Sequence, residues 1–101
     1  MARNIAGLWT IIQTNDTRVS VDVDNKPDGT FAVEALIEGR NVAGRGTGRV
    51  DGDQVHMTIT WDDGPVGAYN GAFDGAGFLH GAGFDIKNPR NVAGWSSSRS
   101  F

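Results

Sequence analysis

Six aromatic and polar residues in the second half of the chain are the side chains best suited to binding a ligand. Aromatic rings beside a few hydrogen-bonding groups are the usual composition of pockets for small molecules and sugars. If the segments of this region run up and down, their side chains can approach one end of the fold. We therefore predict a ligand-binding site made of Trp61, Tyr69, Asn70, His80, Asp85 and Trp95.

The same region offers little for catalysis. His80 and Asp85 are an odd number of residues apart, so they face opposite sides of a regular strand, and pairing them needs a bulge at Gly81 or Gly83. The sequence has neither a nucleophile-elbow pattern nor a paired-carboxylate arrangement. The two histidines, His56 and His80, do not have the spacing of a specific metal site. We predict no catalytic residues, no cofactor and no metal site.

Turn signals recur about every ten residues and separate short segments in which apolar and polar residues alternate. This rhythm is typical of an up-and-down antiparallel β structure. The signals predict seven turns, at residues 15–17, 25–29, 38–41, 51–53, 62–65, 74–77 and 87–91. They separate eight predicted strands, near residues 5–14, 18–25, 30–38, 43–51, 54–62, 65–74, 77–86 and 92–100.

Eight short strands are expected to close into a barrel, because an open sheet would leave two edges unpaired. The glycines within predicted strands, such as Gly67, Gly71, Gly81 and Gly83, favour the sharp bends that a small barrel needs. The predicted fold class is all-β, a small closed eight-stranded antiparallel up-and-down barrel. The interior of such a barrel is wide enough for side chains or for one small ligand.

Composition limits the size and the partners of the protein. The 101 residues, 39% of them hydrophobic, suit one domain over 1–101. The chain has no cysteine, so a core or a subunit interface must supply its stability, and we expect a homo-oligomer. The net charge of −3, with scattered basic residues, argues against nucleic acid as a partner. No apolar stretch suits a membrane or a signal peptide, so we expect a cytoplasmic protein, or a secreted one if a leader was removed.

A pentapeptide of the form Arg-Asn-x-Ala-Gly occurs three times, at residues 3–7, 40–44 and 90–94. One interpretation is a repeated sugar-contacting motif, since asparagine and arginine present paired donors. The other is that asparagine favours the exits of turns and that a start of small residues recurs on a curved barrel. The unequal spacing argues against a propeller or a solenoid.

Several short motifs, in the right order along nearly the whole chain, resemble the avidin and streptavidin branch of the calycin barrels. Gly7-Leu8-Trp9 matches the Gly-x-Trp that begins the first strand of calycins. The other matching segments are Asp-Gly-Thr-Phe at 28–31, Thr-Gly-Arg-Val-Asp at 47–51, Thr-Ile-Thr-Trp at 58–61 and the last strand at 93–101. The resemblance implies that Trp61 stacks on a ligand, that Trp95 is lent across a subunit interface, and that Arg99 packs over Trp9 as a cation on a ring.

The polar residues with which that family binds biotin are not matched. The corresponding stretches read Thr-Ile-Ile-Gln at 10–13, Ala-Val-Glu-Ala at 32–35 and Gly-Ala-Tyr-Asn-Gly at 67–71. A ureido group buried there would lack its partners, at a cost of about 1 to 3 kcal/mol for each unpaired polar atom. We do not expect biotin to be the ligand.

These observations predict a non-enzymatic binding protein that recognises a small molecule or a glycan through an aromatic-lined barrel mouth. One alternative is a lectin whose sites lie on the outside, at the Arg-Asn-x-Ala-Gly turns. Others are a proteinase inhibitor of the barrel type, and a small barrel cyclase that shapes a reactive substrate in a dry interior. The short arm ahead of Trp9 counts against the inhibitor.

Overall fold

The computed structural model describes residues 4–101, and these form one closed antiparallel barrel of eight strands. Each strand pairs with the next along the chain, and the last pairs with the first, which confirms the predicted fold class. The described residues include no helix, and so no helix that could cross a membrane. The strands are β1 (Gly7–Gln13), β2 (Arg18–Asn25), β3 (Thr30–Ile37), β4 (Val42–Asp51), β5 (Gln54–Trp61), β6 (Val66–Phe73), β7 (Phe78–Asp85) and β8 (Asn88–Ser100).

The last strand differs from its prediction. The turn predicted at 87–91 is wrong, because the chain reverses at Ile86 and Lys87 and β8 begins at Asn88. Asp85 pairs with Asn88, but the preceding residue of β7 pairs with Val92, so residues 89–91 lie in an irregularity of the ladder. The proline at position 89 has no amide hydrogen to donate, and such an irregularity tolerates it.

Strict alternation of side chains explains how the sequence builds the core. On β2, Val19, Val21 and Val23 are buried while their neighbours are partly or fully exposed. On β5, the apolar residues at 55, 57, 59 and 61 are buried in the same way. Phe31 and Leu79 add fully buried side chains from β3 and β7. Each strand therefore turns its apolar face inward, as the two-residue period requires.

The strand glycines make room for aromatic rings as well as for curvature. A Cβ atom on Gly44 would stand 2.6 Å from the ring of Trp61, and one on Gly71 would stand 2.8 Å from the ring of Trp95. At Gly81 a Cβ atom would collide with the backbone carbonyl of Asn70 on the neighbouring strand. Glycine at these positions lets bulky rings and close backbones share a narrow interior.

Ser97 makes two hydrogen bonds where the register between β7 and β8 shifts, near Leu79. Its hydroxyl accepts a hydrogen bond from the Leu79 amide at 2.9 Å and donates one to the Arg99 carbonyl at 2.7 Å. Ser97 is 4% exposed, and among residues 4–101 it is the one polar residue that is buried. The side chain replaces a backbone bond that the shifted register cannot make.

One end of the barrel is closed by aromatic packing. Trp9 donates its indole N–H to the Ile5 carbonyl at 2.9 Å, and its ring meets Phe101 edge-on with centroids 5.2 Å apart. The guanidinium of Arg99 lies over the Phe101 ring, 5.2 Å from its centroid. The expected cation–ring contact of Arg99 is therefore made with Phe101 instead of Trp9.

Candidate functional site

The opposite end of the barrel holds a cavity of about 440 Å³. It lies where β5 and β7 end and β6 begins. The early part of β8 forms a further wall, because β8 extends beyond the end of β1: the strand pairing between them stops at Gln13 and Trp95. Among the residues that line this mouth cavity are Gln13, Trp61, Gly67, Tyr69, Gly83, Asp85 and Arg90.

A short hydrogen-bond chain holds the rim beside Tyr69. The phenol donates to Oε1 of Gln13 at 3.2 Å, and Nε2 of Gln13 donates to Oδ1 of Asn15 at 3.2 Å. The same oxygen of Asn15 accepts the amide of Thr17, which ties the chain to the turn between β1 and β2. Burial raises the pKa of Tyr69 to about 12, so the phenol is a neutral hydrogen-bond donor near pH 7.

Three of the six predicted site residues meet at this cavity. Trp61, Tyr69 and Asp85 all line it, because they share the inward parity of their strands. Trp95 lies behind them and packs edge-on against Tyr69, with centroids 6.3 Å apart. The structure thus brings four of the six together in one aromatic cluster with a carboxylate at its edge.

The position of Trp95 corrects one expectation drawn from the avidin resemblance. The ring is 4% exposed and lies inside its own barrel, so it is not available to a neighbouring subunit. Its Nε1 is buried and has no hydrogen-bond partner among residues 4–101. The role of Trp95 within this chain is to support the ring of Tyr69.

Asn70 and His80 lie on the outer surface, so the expectation that all six residues approach one mouth is wrong for these two. Each follows an inward-facing residue, and successive side chains of a strand point to opposite faces. Asn70 accepts a hydrogen bond from Nδ1 of His56 at 2.8 Å. His80 pairs with Asp74 rather than Asp85, with Nε2 and Oδ2 2.8 Å apart.

The carboxylate of Asp74 is held by this outer pair and by its own turn. Desolvation raises its pKa, but hydrogen bonds from the amides of Phe78 and Ala76 and from His80 outweigh that effect and lower the pKa below its ordinary value. The pair therefore belongs to the turn between β6 and β7. Nowhere in residues 4–101 do three His, Asp or Glu side chains come together as metal ligands would.

Sequence reasoning missed Gln13, Gly67, Gly83 and Arg90. Gln13 has the same parity as the buried Trp9 and Ile11, which marks it as a polar residue on an inward face. Gly67 and Gly83 likewise share the parity of their inward neighbours. Arg90 was missed because it falls in the predicted turn at 87–91, whereas it lies in β8 and lines the cavity.

The three related pentapeptides do not form one surface. The copies at 40–44 and 90–94 lie toward the open end, whereas the described part of the first copy lies at the closed end. Asn41 has a φ of 55° at the turn before β4, a left-handed conformation that asparagine tolerates. Asn91, in contrast, lies within β8 and lines the cavity. This supports the interpretation of the second copy as turn chemistry.

No protein-family model matches the sequence, and a comparison with curated proteins finds no match. Among solved structures, the chain resembles a redesigned β-barrel, mFAP1, bound to DFHBI, with a TM-score of 0.72 and 14% identity over 94% of both chains. It also resembles a point mutant of the fluorescent protein UnaG, with a TM-score of 0.57 and 13% identity over 94% of this chain and 95% of that one. At such low identity these likenesses show the fold alone: a small closed β-barrel.

Proposed function

We propose that this protein binds a small aromatic molecule in the mouth cavity and does not transform it. The observation that carries this proposal is the contrast between the two ends of the barrel. One end is filled by Trp9 and Phe101, whereas the other leaves about 440 Å³ beside Trp61 and Tyr69. That volume lies in the range of pockets for small molecules.

The lining of the mouth cavity favours a flat, largely apolar ligand. Trp61 and Tyr69 offer aromatic surface, and stacked or edge-on ring pairs add about 0.5 to 1.5 kcal/mol beyond the burial of area. A second depression, of about 400 Å³, lies on the outer face of β3 to β6, but no tryptophan or tyrosine lines it. The designed barrel mFAP1, which has the same fold, is described as bound to DFHBI.

A glycan is the competing ligand that the sequence leaves open, and with it the lectin interpretation. The separation of the pentapeptides to opposite ends supports a single internal site over several outer ones. Kinship with avidins in particular, and self-association, stay predictions. Leu8, Leu36, Ile86 and Val92 are large apolar side chains exposed at separate places on the barrel. The mass in solution measures whether the protein self-associates.

Titration with 2-naphthol, followed by isothermal calorimetry, tests the proposal. We expect one molecule to bind per barrel, and we expect Trp61→Ala to weaken binding at least tenfold by removing one aromatic wall. Leu8→Ala is the matched control, because Leu8 is 76% exposed on the first strand and does not line the cavity. Failure of 2-naphthol to bind, together with binding on a glycan array, would overturn the proposal in favour of a lectin.

A further inference from the structure

The indole N–H of Trp61 is a donor that has no protein acceptor among the described residues and is accessible from the mouth cavity. The side chain is 7% exposed and lines the mouth cavity. Its Nε1 makes no hydrogen bond within residues 4–101, and it lies 3.6 Å from the point where a Cβ atom on Gly67 would stand. The same point is 3.2 Å from Cε2 of Tyr69, so a side chain at position 67 would crowd the tyrosine ring, whereas glycine leaves the cavity beside both rings unfilled. A ligand acceptor in the cavity within about 3 Å of Nε1 would satisfy the indole N–H.

An acceptor without a donor lies on the other side of Gly67. Asp85 is the last residue of β7 and pairs directly with Gly67 across the ladder between β6 and β7. Its Oδ1 accepts the Lys87 amide at 3.0 Å, while its Oδ2 makes no hydrogen bond in the described part of the chain. Asp85 is half-buried and also lines the cavity. The second oxygen is therefore available to an N–H group of a ligand.

The charges of the lining favour a neutral ligand with a dipole. Asp85 and Arg90 are the two charged residues among the described residues that line the cavity, and their charges are opposite. Arg90 lies exposed on the rim, whereas Asp85 lies deeper, opposite Gly67. A ligand that carries a full charge would face one attractive and one repulsive group, but a dipolar group satisfies both the donor and the acceptor beside Gly67.

We propose that the space over Gly67 selects a planar heterocycle whose edge carries a carbonyl next to an N–H, the edge found in lactams. The carbonyl accepts from Nε1 of Trp61, and the N–H donates to Oδ2 of Asp85. The ring of Tyr69, whose Cε2 is 3.2 Å from the same point over Gly67, packs against the ligand. This inference rests on the proposed function and adds the chemical class of the ligand to it.

Two bicyclic compounds of the same shape test the inference. 2-Quinolinone carries the lactam edge, and coumarin replaces its N–H with an oxygen atom. Measured by calorimetry, 2-quinolinone is expected to bind about tenfold more tightly, which corresponds to about 1.4 kcal/mol. The reason is that coumarin brings an acceptor against the Asp85 carboxylate and leaves it without a donor.

Two variants assign the two hydrogen bonds separately. Asp85→Ala is expected to remove the preference by weakening 2-quinolinone alone, whereas Trp61→Phe, which keeps a ring but loses the N–H, is expected to weaken both compounds. Leu8→Ala is the control, and circular dichroism checks that each variant folds. If one variant does not fold, the preference of the wild-type protein and the result for the other variant still test the lactam inference.

The outcomes separate this inference from the proposed function. Equal affinity of the two compounds, or tighter binding of coumarin, overturns the lactam inference and leaves the proposed function standing. If 2-naphthol binds but neither 2-quinolinone nor coumarin does, the lactam inference is also overturned and the proposed function stands. Failure of all three compounds to bind overturns both.

Discussion

The ring of Tyr69 packs on Gly83 of the neighbouring strand so closely that a Cβ atom there would stand 2.8 Å from Cδ1 and 3.0 Å from Cε1. The two residues are direct partners in the ladder between β6 and β7. The bare Cα of Gly83 is therefore what allows a tyrosine ring to lie flat at the mouth of so narrow a barrel.

Gly83→Ala is expected to destabilise the protein by about 1 to 3 kcal/mol, because the new methyl group forces the ring of Tyr69 or the strand to move. The free energy of unfolding in urea measures this. Gly75→Ala is the matched control, since nothing lies within 4 Å of a Cβ atom at that turn position. Equal effects of the two substitutions would contradict the packing of Tyr69 on Gly83.

Ser97→Ala is expected to cost about 1 to 3 kcal/mol, because it leaves the buried amide of Leu79 without an acceptor. Ser100→Ala, on the exposed end of the same strand, is expected to stay within about 0.5 kcal/mol of the wild type. Urea unfolding of both variants gives the comparison. A Ser97→Ala protein as stable as the Ser100→Ala protein would show that the shifted register does not depend on this hydroxyl.

Phe101→Ala is expected to destabilise the barrel more than Arg99→Ala does. Phe101 makes edge-on contacts with Trp9 and with Phe73, and its loss removes the packing that closes one end. We expect Phe101→Ala to lower the free energy of unfolding by about 1 to 3 kcal/mol. Loss of a fully buried phenylalanine costs more, about 3 to 5 kcal/mol. Arg99→Ala removes a cation over a ring, which contributes about 0.5 to 1 kcal/mol at an exposed site. If Arg99→Ala destabilised the barrel more than Phe101→Ala, the result would contradict the closure of this end by Phe101.

Tyr69 is expected to titrate near pH 12, since burial raises its pKa from 10.0 to about 12. The folded-state pKa is above that of the unfolded chain, so the contribution of Tyr69 to stability is complete below about pH 10. It is lost as the pH rises from about 10 to about 12. The chain has one tyrosine, so the tyrosinate absorbance near 295 nm reports this group alone. A midpoint near pH 10 would mean that the phenol is exposed to water.

The sequence predicts the barrel well because its information is local. The alternation of valines at 19, 21 and 23 and the spaced turn signals each require only neighbouring residues, and seven of the strands agree with their predicted positions to within a few residues. The eighth does not, because Asn-Pro-Arg-Asn at 88–91 has the composition of a turn but lies in an irregular part of β8. Its placement depends on pairing with β7.

The site is predicted only in part, because it depends on which face of each strand points inward. Trp61, Tyr69 and Asp85 meet as expected, whereas the even-numbered Asn70 and His80 point outward. Parity along β6 and β7, set by the buried Tyr69 and Leu79, would have separated these two groups. No local pattern shows that Gln13 and Arg90, which are far apart in sequence, meet at one cavity.

The most direct test of the proposed binding site is to map where an aromatic ligand contacts the barrel. In a ¹H–¹⁵N spectrum titrated with 2-naphthol, we expect the amides of Gly67, Gly83 and Ala93 and the indole N–H of Trp61 to shift together, with the amides of Thr47 and Thr58 unchanged. Shifts confined to Thr47 and Thr58 on the outer face, or the absence of any shift at saturating ligand, would contradict a ligand site in the mouth cavity.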